Sequence, residues 1–242
     1  MTINLIRFSI LIMILLINLT QSSNEEPLVF KRPVSHIEDA QTPTIMVDQD
    51  LFQIRSNPSI ELLNKNKDYV GWIQIENTVI DYPIVKGHDN DFYLNRDFEQ
   101  QPADAGSIFM DYRNFGFGFD QHTIVYGHNM KNDSMFGQLD YYLDSDFAHT
   151  NPIIYIHDLY GLRKYQVFSS YYAKANAELI QTDFSTSEVD YFYSKLVEKS
   201  EIDYDQYPNT SDRILSLVTC NYDVNDGRLF IHAFEITDST LR

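Results

Sequence analysis

Apolar positions follow two periods along this chain. Runs dominated by Ile, Val, Tyr and Phe, namely "WIQIENTVIDYPIV", "GSIFMDYR", "HTIVYGH", "PIIYIHD", "KYQVFSSYYAK", "RILSLVTC" and "RLFIHAFEI", are separated by clusters of Asn, Asp and Gly, the pattern of short strands and turns. They amount to about seven or eight strands, the number a small closed barrel needs. Helical spacing occurs in two places. Asn57 is placed to cap and Pro58 to sit in the first turn of a helix carrying Ile60, Leu63, Lys67 and Val70, which Gly71 ends. In "STSEVDYFYSKLVEKS", Ser185 or Ser187 can cap, and Val189, Phe192, Tyr193 and Leu196 form a stripe at i, i+3, i+4 and i+7. That stripe is expected to pack on the barrel as core and to hold no cofactor.

The first residues have a different character. Ile3 to Leu19 is apolar except for Asn4, Arg7, Ser9 and Asn18. As a helix it would cover about 25 Å, slightly less than a hydrocarbon core of about 30 Å. It reads as a short membrane anchor or a signal-peptide core. No small-residue cleavage site follows it, which favours a retained anchor. Arg7 lies on its N-terminal side, so the expected topology is single-pass, with the N-terminus cytoplasmic and the rest extracytoplasmic. The expected organisation is an anchor or signal segment over 1–25, a linker over 26–45, and a catalytic domain with N-terminal helices over 46–242.

Of the 242 residues, 43% are hydrophobic and 14% aromatic, enough for one sizeable core. The formal charge of -17 disfavours nucleic acid and anionic surfaces as partners. The chain has one cysteine, Cys220, so it forms no internal disulfide and its stability must come from packing.

Cys220 ends an apolar run eight residues before Arg228. A thiol acts as a nucleophile only as thiolate, and an ordinary cysteine is mostly protonated at neutral pH unless a cation or base stands near it. The intervening "NYDVNDG" is turn-rich, so the flanking strands are expected to be antiparallel neighbours with Cys220 and Arg228 at one rim. A guanidinium there can stabilise both a thiolate and an oxyanion. Among seven histidines, His128 stands at a strand end before the polar loop "NMKNDSMFG". The others read as incidental: His36 in the linker, His88, His122 and His149 in polar turns, His157 and His232 in or beside strands. Asp223, Asn225 and Asp226 fail calcium-loop spacing, since the twelfth position is Phe234 and not Glu. With one cysteine and scattered histidines there is no zinc set either, and no metal is expected.

Taken together, "NTVIDYPIVKGHDNDFYLNRDF", "AGSIFMDYRN", "TIVYGHNMKNDSMFGQL" and "RILSLVTC" with an Arg eight residues after the Cys resemble class B sortases, from about Tyr69 to Ile236. The resemblance implies a mainly β fold: a closed or nearly closed eight-stranded barrel with an N-terminal helical extension and a helix in a late inter-strand loop. It also implies a cysteine transpeptidase on a Gram-positive-type surface, working without a cofactor. Its nucleophile falls on Cys220, its histidine on His128 and its arginine on Arg228. Substrate-binding positions fall on Asn90, Leu94, Tyr126 and Thr219, and on Leu179 and Ile180 of the late loop. The implied partners are surface proteins with a C-terminal sorting signal, cleaved after a Thr, and a peptidoglycan precursor or cross-bridge amine. One departure is Val218, where class B members commonly have serine. Two other readings stay open on sequence: a hydrolytic cysteine peptidase using the same residues, and a non-catalytic β-rich surface domain with a buried Cys220.

Overall fold

The computed structural model describes residues 59–174, 177–220 and 227–236. The anchor, the linker, Asn57 and Pro58 lie outside them. No helix among the described residues is long and apolar enough to cross a membrane. In chain order the elements are α1 (Ser59–Lys65), β1 (Tyr69–Ile75), β2 (Asp81–Val85), β3 (Ile108–Met110), β4 (His122–His128), α2 (Ser145–Thr150), β5 (Ile153–Asp158), β6 (Leu162–Lys174), α3 (Thr186–Glu198), β7 (Ile214–Cys220) and β8 (Gly227–Ile236).

The first run breaks into β1 and β2 at Thr78 and its neighbours, where the Thr78 hydroxyl donates to the Ile75 carbonyl. The other six runs each give one strand, and the eight close into a barrel in the order β1-β2-β3-β4-β7-β8-β6-β5. Strand pairs are antiparallel except β2 with β3 and β4 with β7. Parallel neighbours need a long crossover. For β4 and β7 the crossover consists of β5, β6 and α3, and this brings His128 and Cys220, 92 positions apart in sequence, to the same rim.

α1 is shorter than its periodicity implies. It stops at Lys65, and Val70 and Gly71 belong to β1, whose burial alternates strictly from Tyr69 to Ile75. The buried amide of Asn66 ends the helix: its Nδ2 donates to Tyr93 Oη at 2.9 Å and to the Phe98 carbonyl at 2.7 Å. Tertiary pairing of β1 with both β2 and β5 overrides the helical spacing of two residues.

β4 and β7 are covered on both faces. Val125, Leu215 and Leu217 point into the barrel with Ile73, Ile84 and Ile231. Ile124, Tyr126 and Val218 face outward into a second apolar cluster with Phe230, Phe192 and Leu196. The stripe on α3 supplies this cover, with Leu196 fully buried; a side chain so buried contributes roughly 1.5–3 kcal/mol. Ser185 is the N-cap of α3, and Glu188 completes a capping box by accepting from the Ser185 backbone N–H at 2.8 Å.

Candidate active site

The parallel register of β4 and β7 pairs His122 with Ile214, Ile124 with Ser216, Tyr126 with Val218 and His128 with Cys220. The antiparallel register of β7 and β8 pairs Ile214 with Phe234, Ser216 with His232 and Val218 with Phe230. Among the described residues the ladder ends with that pair: beyond it the Leu229 N–H donates to Thr219 Oγ1 at 2.9 Å, and Arg228 pairs with Ala173 on β6. Side chains alternate between faces along a strand. By that alternation His128 shares a face with Tyr126, and Arg228 with Phe230. Of the three residues that sequence singled out for chemistry, His128 and Cys220 are backbone partners at the ends of β4 and β7, and Arg228 stands on the adjacent strand β8.

His128 is buried, and its Nε2 lies 2.6 Å from the Leu94 carbonyl oxygen. A carbonyl only accepts, so Nε2 carries the hydrogen in the neutral ring. The tautomer is set by the main chain of the loop between β2 and β3. Gly127 explains the "YGH" motif in packing terms: on the barrel side, a Cβ there would lie 2.4 Å from Ile108 Cδ1 and 2.7 Å from Phe136 Cδ2. Only glycine lets β4 lie this close to those side chains while presenting its two neighbours outward.

The positions expected to bind substrate divide into two groups. Tyr126 and Leu179 are buried in the outer apolar cluster, and Leu94 and Ile180 pack against it. Asn90 is bound at its margin, donating from Nδ2 to Asp111 Oδ2 at 3.0 Å. Thr219 lies on the opposite, barrel-facing side, its hydroxyl engaged by β8. Val218 is fully buried between Tyr126 and Phe230 in the ladder, which makes that floor apolar.

His122 does not sit in a polar turn. It is the first residue of β4 and fully buried, with Nδ1 2.6 Å from the Gln181 carbonyl and Nε2 2.6 Å from Ser216 Oγ. Ser216 Oγ is in turn 2.5 Å from His232 Nδ1, and His232 Nε2 is 2.9 Å from Tyr171 Oη. The Gln181 carbonyl must accept, which fixes every other direction. Tyr171 donates to His232, His232 to Ser216, Ser216 to His122, and His122 to Gln181, all as neutral groups. Burial pushes His122 down to about 4, and it pushes His232 down as well, with His122 as a further cause.

Sequence reasoning left Asp111 and Arg113 unassigned, although both stand in the quoted "MDYRN". Asp111 is fully buried, and burial alone would raise its pKa. Hydrogen bonds from Arg113 and Asn90 outweigh that and hold it below the usual carboxylate value. The available signal was an Asp and an Arg two residues apart at the end of an apolar strand, where an unpaired charge would be costly.

Comparison with known proteins agrees with this geometry. The Sortase domain family model matches residues 73–236. Sortase B of Listeria monocytogenes is 39% identical over 182 residues, 73% of each chain. Sortase B of Staphylococcus aureus is 40% identical over 166 residues, 67% of this chain and 68% of that one. A solved Staphylococcus aureus sortase B–substrate complex superposes with a TM-score of 0.72 at 35% identity, covering 78% of this chain and 90% of the other. These matches make this protein a transpeptidase-type cysteine enzyme. The chain belongs to the sortase family, in class B.

Proposed function

We propose that this enzyme cleaves the C-terminal sorting signal of surface proteins after a threonine and joins the new carboxyl end to a cell-wall amine. The observation that carries the reading is the register pairing of His128 with Cys220 at the ends of two parallel strands, with Arg228 on the next strand. The Cys220 thiolate attacks the threonine carbonyl carbon, and Arg228 stabilises the oxyanion that forms. The C–N bond breaks as His128 Nδ1–H protonates the departing amine, leaving a thioester on Cys220. An acceptor amine, supplied by a peptidoglycan precursor or cross-bridge, then attacks the thioester. It gives its proton to His128, the new amide forms and the thiolate is released. The substrate complex solved for Staphylococcus aureus sortase B supports a substrate-binding role for this chain.

The apolar segment Ile3 to Leu19 supports a location at the cell membrane with the catalytic domain outside. Protease added to intact cells is expected to remove the domain, and complete protection would exclude that location.

The test of function is mass spectrometry of the enzyme incubated with a panel of sorting peptides. A thioacyl adduct on Cys220, absent from Cys220→Ala, is expected. Addition of a short glycine peptide should convert the adduct to amide; release of free acid alone, at every amine concentration, would establish a peptidase instead.

A further inference from the structure

The positions expected to bind substrate come from three chain segments distant in sequence: the loop carrying Asn90 and Leu94, strand β4 with Tyr126, and the late loop with Leu179 and Ile180. The side chains of a single turn hold them together. Asp111, directly after β3, has its backbone N–H bonded to the Ile124 carbonyl and is thereby fixed to the sheet. Its Oδ2 accepts from Asn90 Nδ2 at 3.0 Å, from Tyr126 Oη at 3.0 Å and from Arg113 Nη2 at 2.7 Å. Its Oδ1 accepts from Arg113 Nε at 2.8 Å and from the Arg113 backbone N–H at 3.0 Å. Arg113 Nη2 also donates to the Ile180 carbonyl at 2.9 Å. The next carbonyl in the chain, that of Gln181, receives His122 Nδ1–H at 2.6 Å. Two consecutive carbonyls of the late loop are thus gripped from the β3–β4 side, and Leu179 beside them is turned inward, 2% exposed.

We propose that Asp111 and Arg113 are positioning residues that set the spacing of these three segments and so determine how tightly the enzyme binds its peptide. This rests on the reading of those positions as the sorting-peptide site. The physical argument is geometric. The guanidinium is planar and its Nε and Nη2 donors engage the carboxylate as a fork, which fixes the direction in which Nη2 meets Ile180. The carboxylate meanwhile holds Tyr126 and Asn90, so neither segment can shift without disturbing the same ion. Neither Asp111 nor Arg113 is among the residues placed in the chemistry, so loosening them should weaken binding and leave the bond-breaking step largely intact.

Arg113→Lys tests the idea without leaving Asp111 as an uncompensated buried charge. A lysine ammonium keeps a cation on the carboxylate but cannot also present the fork that reaches Ile180. Three readouts apply to this variant and to Arg113→Met: steady-state kinetics with a sorting peptide, alkylation of Cys220 by a small reagent, and hydrogen exchange of the 177–184 amides. The expected result is a KM raised about tenfold or more with kcat within about threefold, an unchanged alkylation rate, and faster exchange across the late loop. If exchange is unchanged in Arg113→Lys, the clamp does not hold the loop and the proposal falls. If exchange rises while KM stays at the wild-type value, or if kcat falls with KM unchanged, the pair has no positioning role in recognition. Absence of any thioacyl adduct in the wild-type enzyme would overturn the peptide-site reading itself, and the exchange data would still report on the clamp.

Discussion

Arg228 pairs with Ala173 on β6 and stands two positions before Phe230, the partner of Val218. Arg228→Lys keeps the charge but gives up the planar fork, and kcat/KM is expected to fall by about 10²–10³, with the thermal midpoint unchanged. Steady-state kinetics beside a melting curve check this. Val218 belongs to a different order of effect. It is fully buried among Tyr126 and Phe230, so a serine there brings a hydroxyl into an apolar floor and removes two methyl groups. Val218→Ser should therefore destabilise the fold by about 1–3 kcal/mol, read as a lower urea midpoint at constant m.

Each strand of the barrel carries two tasks, one per face, and Gly127 shows the cost of a conflict between them. A methyl at position 127 would run into Ile108 and Phe136 on the inner face, and β4 could relieve the overlap only by moving outward with Tyr126 and His128 attached. Gly127→Ala is expected to lose about 1–3 kcal/mol of stability. It should also lengthen the bond from His128 to the Leu94 carbonyl, so imidazole NMR shifts should move more than those of His157, which lies on β5. The strand runs, the helix between β6 and β7, and the placing of Cys220 and Arg228 on consecutive strands were legible, because alternation, capping and turn-rich loops are local signals. The roles of Asp111, Arg113 and His122 were not. Their partners Asn90, Ile180, Gln181 and Ser216 lie 21, 67, 59 and 94 positions away, and no local period encodes which carbonyl or hydroxyl a buried polar side chain will meet. His122 reads as a turn residue because Asp120 and Gln121 precede it; the parallel pairing with Ile214 makes it a strand residue. Val70 misled in the opposite direction, since the helical period continues past the turn at Lys67 into a residue of β1.

Across the whole molecule, His122 and His232 make stability depend on pH in a predictable window. Burial pushes His122 from an ordinary value of 6.5 down to about 4, and burial with His122 beside it lowers His232 too. In the unfolded chain both regain an ordinary value, so below about pH 6.5 the unfolded state binds protons that the folded state does not. Their neutral forms are thus compatible with full stability above that pH, and stability falls as pH drops from about 6.5 toward 4. For His122 alone the span corresponds to roughly 3 kcal/mol, at about 1.4 kcal/mol per pH unit. Asp111 acts in a lower window: its carboxyl is held below 3.8, so its contribution is kept above that value and lost only in stronger acid. Urea unfolding at pH 7, 6 and 5 should show a midpoint that declines steadily, while Asp111→Asn leaves the slope over that range unchanged. His232→Gln, which offers an amide in place of the imidazole, should flatten the decline even if it lowers the value at pH 7. Equal slopes in wild type and His232→Gln would assign the acid sensitivity to groups outside this chain of hydrogen bonds.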